Sequence, residues 1–438
     1  MPEGNKLSTL VLRDDCGPLR RVELTASSAP AGTQRLAAPA AAASSRHALD
    51  WFVFFLADVQ TGFGPFVAVY LTAKAWTQVD IGLVLTVGGL VALAGQMPGG
   101  ALIDAVRSPR WAAALAVVAI GISALALAVW PVFAVVMASR LLHAAASCLL
   151  GPAIAAISLR LVGHAALGER IGRNARFASI GAGLSAVAMG VSGHLVSNQS
   201  VFLVTAALAL PTLVALGCIR LREGDPFRRE DAPAARANDV AAPSSADLLR
   251  NRPLVVFALC VLMFHLANAA MLPLMGGVMA TRASEWATIS IAACMIVPQL
   301  VVAISSPWVG RRSVAWGRRP LLIAAFAALA LRGLLFAVVT NPHLVIAVQL
   351  LDGVSAAVLG VMFPLVVADV TRGSGRFNLA LGLVGSAMGI GASVSTTLAG
   401  YMVDHCGRGV TFVALAGIAA AGLALVSLLM PETRPDEP

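Results

Sequence analysis

Charge is what this chain has least of. Asp, Glu, Lys and Arg together make up 12% of its 438 residues, about half the share in an average soluble protein. A surface so poor in charge cannot face water on all sides, which excludes a soluble globular fold. Lysine is nearly absent, with Lys6 and Lys74 the only two. Neither stands in a Gly-Lys-Ser/Thr context, so there is no P-loop and no ATP-driven transport by this chain alone. Strands of alternating polarity, which a membrane barrel needs, are missing. HExxH, GxSxG and metal-ligand spacings are missing too, so no enzyme activity, metal site or cofactor is expected. The cysteines, Cys16, Cys148, Cys218, Cys260, Cys294 and Cys406, form no CxxC pair. Four of them lie in apolar segments and read as small buried side chains.

What is present is apolar sequence. Hydrophobic residues make up 58% of the chain, and the mean hydropathy is +0.84. Runs of about 20 apolar residues are long enough to cross a bilayer as helices. Such helices satisfy their own backbone in lipid. The runs lie at roughly 48–73, 80–104, 110–130, 132–157, 176–197, 200–220, 253–281, 286–308, 319–340, 342–369, 377–403 and 410–430. The fold class is therefore an all-α integral membrane protein with twelve transmembrane helices. Residues 1–46 are polar and Ala/Pro/Ser-rich without a signal-type core, and read as a disordered cytoplasmic tail. A first six-helix half follows at 47–222, then a polar linker at 223–252, a second half at 253–431 and a short tail at 432–438.

The formal net charge of +9 points to membrane orientation rather than to nucleic acid, which is not an expected partner. With the N-terminal tail placed in the cytoplasm, 26 of the 31 Lys and Arg fall on its side. Only Lys74, Arg282 and Arg408 lie opposite, and Arg140 and Arg332 lie within spans. The positive-inside rule then puts both termini in the cytoplasm. The tryptophans, among them Trp51, Trp111, Trp308 and Trp316, fall near span ends, where an aromatic belt belongs. Arginine in place of lysine points to a GC-rich bacterial genome, hence to the inner membrane of a bacterium.

The two halves repeat each other. "RLLHAAASCLLG" from Arg140 aligns with "QLLDGVSAAVLG" from Gln349. "GALIDAVRSPR" from Gly100 aligns with "GRRSVAWGRRP" from Gly310. "LAD" ending at Asp58 aligns with "LAN" ending at Asn268, and Gly181 and Gly183 align with Gly389 and Gly391. Inverted or parallel repeats around a midplane site are the plan of secondary transporters.

With these motifs the chain resembles the major facilitator superfamily over about 48–430. The loop after the second span carries that family's glycine, acid and basic cluster at Gly100, Asp104, Arg107 and Arg110. The second copy keeps Gly310, Gly317, Arg318 and Arg319 but has Val314 in place of the acid. Arg140 matches the intramembrane arginine of the fourth span. The fifth span has the glycines of the family's drug/proton antiporters, without their proline. The resemblance implies two pseudo-symmetric six-helix bundles, and a cytoplasmic latch built from Gly100, Asp104, Arg107, Gly310, Gly317 and Arg318.

Ionisable groups at bilayer depth are functional candidates by default. Asp58 and Arg140 both lie near mid-depth, and both are exchanged for amides in the repeat, at Asn268 and Gln349. Losing one alone would strand a buried charge, so the joint exchange reads as an ion pair and a candidate proton-coupling site. Asp352 is the second candidate, with Arg332 read as its structural partner, a pairing that would remove Asp352 as a free proton carrier. His143, His265, Asn268, Gln349 and Asp352 are candidate cavity or substrate residues. Prolines within spans, such as Pro65 and Pro273, supply bending points. The expected function is secondary active transport of a small molecule by alternating access, as proton-coupled export, by a monomer in the lipid bilayer. Symport or facilitated uptake of a small metabolite, an anionic one included, is the alternative. A transporter-like sensor is the third reading.

Overall fold

The structure is a computed structural model. It describes residues 34–61, 67, 70–71, 73–197, 199–220, 245–275 and 287–434. Residues 1–40 form one unit and Ala41–Pro438 another. The latter holds the membrane spans, and among the described residues its regular structure is entirely helical.

Thirteen helices follow in order among the described residues. They are α1 (Gln34–Thr61), α2 (Gln78–Ala105), α3 (Pro109–Val129), α4 (Phe133–Val162), α5 (Leu167–Leu195), α6 (Ser200–Gly217) and the short α7 (Ser245–Arg250). Then come α8 (Arg252–Asn268), α9 (Ala287–Trp316), α10 (Arg319–Val338), α11 (Pro342–Val370), α12 (Phe377–Cys406) and α13 (Arg408–Leu429). Eleven segments among the described residues are long and apolar enough to cross a membrane. The remaining expected span, 48–73, starts within α1 and continues into residues outside the described set.

Local chemistry sets the helix ends. The Thr77 hydroxyl accepts the Asp80 amide at the start of α2, and the Asn251 side chain accepts the Leu254 amide at the start of α8. Pro109 and Pro342 open α3 and α11, where a missing N–H costs nothing. Gly317 follows α9 with a φ of 88°, which a side chain rarely adopts.

Several helices outrun their apolar runs. α5 begins at Leu167, not near 176, and α9 continues to Trp316, not 308. Apolarity marks hydrocarbon depth, whereas the helix continues as long as its backbone is bonded and its charges find partners. Residues 34–46, read from sequence as disordered tail, are helical as the start of α1; the alanine-rich run favours that state. Part of the expected 223–252 linker is α7, and 221–244 lie outside the described residues.

The repeat is visible in the packing. α2 packs on α4 and α3 on α6; correspondingly α9 packs on α11 and α10 on α13. Each half has its own buried core, one around Phe52, Ile120 and Phe202, the other around Phe257, Phe326 and Phe412. The halves meet along two seams, α5 against α9 and α2 against α12.

Candidate functional site

Among the described residues, polar side chains gather near mid-span, along the seams and around Asp50 of the first half. In the second half the mid-span group is complete. Arg332 on α10 is 1% exposed, and its Nη1 donates to Asp352 on α11 at 2.6 Å and to Asn268 on α8 at 2.5 Å. One guanidinium therefore ties three helices. It also lies over the Phe336 ring at 5.2 Å. The Asp352 side chain is 19% exposed, so the carboxylate is the open face of this cluster and the arginine its back. One helical turn and more beyond Asp352 on that face stand Ala356 and Gly360, both exposed. Gln349 is fully buried, and its amide donates to the Cys294 carbonyl on α9 at 3.2 Å. His265 is half-buried on α8 with its ring 5.5 Å from Phe264.

In the first half, Arg140 on α4 lies against α2. A Cβ placed on Gly88 would stand 3.5 Å from its Nε and Nη2. His143, one turn on, shares a hydrogen bond of 3.3 Å with Ser147. The Asp58 side chain lies outside the described residues, so its expected pairing with Arg140 stays a proposal.

The seams close at the end that carries the arginine-rich loops. Asp104, at the end of α2, accepts the Asn378 amide at 3.1 Å, the Leu379 amide at 2.8 Å and the Asn378 side chain at 2.7 Å. Those two amides are unbonded donors of the first turn of α12, where the helix dipole also favours an anion. One carboxylate of the first half thus caps a helix of the second. Gly100 makes this possible, because a Cβ there would collide with the Asn378 carbonyl. Along the same seam the contact continues to Leu93 and Gly389. On the other seam Gly168 and Gly310 lie backbone to backbone, and Arg176 Nε donates to the Ala303 carbonyl at 2.9 Å.

The second copy of the loop motif works differently. Arg318 pairs with Asp369 of its own half at 2.8 Å and donates to the Ser313 carbonyl at 2.8 Å. Where Val314 replaces the acid, Glu432 of the C-terminal segment arrives instead. Its carboxylate accepts the Arg318 amide at 2.8 Å and the Arg319 amide at 3.1 Å, capping α10. Gly317 turns the chain beside it. Of the expected latch residues, Gly100, Asp104 and Gly310 therefore lie at the halves' contact, while Gly317 and Arg318 serve their own half. Arg107 is exposed and its carbonyl accepts Arg160 at 3.3 Å.

One buried network had no place in the sequence reading. Asp50 on α1 is 1% exposed, and binds Arg170 at 2.5 Å and Arg173 at 2.6 Å, both on α5. Asn174 accepts from Arg170 and donates to Ser158 on α4 at 2.8 Å. Three helices of the first half are joined by it. The signal in the sequence is an acid at the edge of an apolar run; the arginines precede the fifth apolar run, so composition alone assigns them to the loop.

This frame of paired six-helix halves has known counterparts. A family model, the Major Facilitator Superfamily, matches residues 51–311 and 268–438. The chain belongs to the major facilitator superfamily. Two uncharacterized MFS-type transporters of Mycobacterium tuberculosis, from strains CDC 1551 / Oshkosh and ATCC 25618 / H37Rv, are each 39% identical over 397 residues. The match covers 88% of this chain and 93% of theirs. Among solved structures, the proton:xylose symporter XylE bound to 6-bromo-6-deoxy-D-glucose has a TM-score of 0.71 at 14% identity, covering 90% of this chain and 97% of that one. The transporter FucP in the outward conformation gives 0.70 at 15% identity, covering 87% and 97%. These likenesses establish the fold. The chain is a multi-pass membrane transporter of this superfamily.

Proposed function

We propose that the chain is a proton-coupled secondary transporter that moves a small molecule by alternating access. The observation that carries this reading is the Arg332–Asp352–Asn268 cluster: a carboxylate at mid-span, backed by an arginine, with its open face beside small residues of α11. Paired with Arg332, Asp352 is not a free proton carrier; it takes a proton only when the arginine moves away and water enters. Asp58 with Arg140, which align with Asn268 and Gln349, is the candidate site in the first half. With the arginine-rich loops in the cytoplasm, as the positive-inside rule directs, both termini are cytoplasmic and this conformation is closed to the inside. Export of the substrate against an inward proton gradient is the proposed direction. The solved neighbours named above include a proton:xylose symporter, which keeps uptake by symport as the second reading.

The test is counterflow and gradient-driven accumulation in liposomes across a substrate library. It compares the natural chain with Asp352→Asn and Asp58→Asn. An imposed pH gradient is expected to drive movement in the natural chain. In the variant that removes the coupling carboxylate, exchange survives and the gradient no longer drives net movement. Substrate leaving the proton-poor side supports export, and substrate collecting there supports symport. A natural chain that equilibrates substrate regardless of the gradient rejects proton coupling.

A further inference from the structure

The surface of α9 turned away from the seam has a chemistry that the transport pathway does not use. Its exposed side chains step by four: Leu300 and Ile304, then Trp308, Arg312 and Trp316. The helix face opposite carries Gly310, which packs on Gly168 of α5. The stripe therefore faces lipid, and in its last two turns it changes from aliphatic to indole and guanidinium. Arg312 lies 5.9 Å from the Trp308 ring and 5.3 Å from the Trp316 ring, and the two rings meet edge to face at 5.2 Å. Among the described residues no carboxylate pairs with Arg312.

We propose that the Trp308–Arg312–Trp316 ladder binds the anionic headgroup of a phospholipid, in the leaflet at the arginine-rich end. A guanidinium held by ring faces keeps its in-plane N–H edge for a phosphate, which it can grip with two parallel hydrogen bonds. The indole N–H groups are further donors. Arg311 is exposed beside it, and Arg434 is brought close by donating to the Val314 and Ala315 carbonyls at 3.2 and 3.1 Å. This local excess of cations favours a net negative headgroup over a zwitterionic one. The ligand is a lipid rather than a free phosphate because Leu300 and Ile304 continue the stripe toward the hydrocarbon, where acyl chains lie. The site belongs to a helix that also forms a seam, so a bound headgroup holds the end of an element that must move when that seam opens.

Native mass spectrometry of the full chain in detergent tests this, with phosphatidylglycerol and phosphatidylcholine titrated separately. The natural chain is expected to keep phosphatidylglycerol adducts and to keep phosphatidylcholine less well. Arg312→Gln is expected to lower phosphatidylglycerol retention by about fivefold, the worth of one arginine at an anionic surface. Trp316→Leu is expected to lower it as well, while Trp111→Leu, an exposed tryptophan of the first half, leaves it unchanged. All three positions are surface-exposed, and elution as a single species by gel filtration confirms that each variant folds. Equal retention of the two lipids, or unchanged retention in Arg312→Gln and Trp316→Leu, overturns the proposal. Displacement of the lipid by millimolar inorganic phosphate alone overturns it in favour of a free-anion site.

Discussion

Three carboxylates among the described residues are each matched to a particular donor set. Asp50 takes two arginines, Asp104 takes the amides of a helix start, and Asp352 takes one arginine that an amide also holds. The differences matter because a buried charge deprived of its partner costs far more than the intact pair contributes. Arg332→Met leaves Asp352 without its cation and should destabilise the fold by about 3–5 kcal/mol. The double variant Arg332→Met with Asp352→Leu should recover most of that loss. Thermal unfolding in mild detergent over the full double-mutant cycle measures the coupling. If the double variant is no more stable than Arg332→Met, the two side chains are not energetically paired. Asp352→Asn is expected to be milder, since Asn268 still accepts from the arginine.

Among the helices, the caps show how far sequence could be read. The cores of the spans were legible because apolar runs of bilayer length leave few alternatives. Asp104 was legible through its motif as a residue of note at the loop, and Arg332 with Asp352 through their depth. The partners of Asp104 were not, because they begin a helix 274 residues further on. Nor was the Asp50 network, because it depends on α5 starting at Leu167, ahead of its apolar run. Glu432 was missed for a related reason: it stands in a polar segment that looks like solvated tail. Burial alone would raise its carboxyl, but the amides of Arg318, Arg434 and Arg319 that it accepts hold it below the usual range. A lowered folded pKa means that the cap stabilises α10 above the unfolded value of about 4.3. The contribution fades as pH falls through the folded value. Glu432→Gln should therefore be less stable than the natural chain at pH 7, with the gap in melting temperature closing below about pH 4. A gap that stays constant down to pH 3 would show that the carboxylate's charge is irrelevant to the cap.

Across the whole molecule, the described seam contacts all lie toward the arginine-rich end. α2 and α12 touch from Gly100 and Asn378 to Leu93 and Gly389, whereas Leu83 and Tyr401, near their far ends, are exposed. One seam is fastened by a charge, Asp104 on the start of α12, and the other by close backbone approach, Gly168 on Gly310. Two rigid halves joined this way open at one end as they close at the other. Weakening either fastening must therefore bring the far ends together. Spin labels at Leu83 and Tyr401, in a background without Cys16 and without the exposed Cys218 and Cys406, report that distance directly. Asp104→Ala removes a helix cap worth about 1 kcal/mol and should raise the short-distance population roughly fivefold. Gly310→Leu drives a side chain into the Gly168 carbonyl and should shift the population further. An unchanged distance distribution in both variants would mean that the closed end is not what holds this conformation. The state would then depend on the mid-span charges, and labelled Asp352→Asn becomes the variant that moves it.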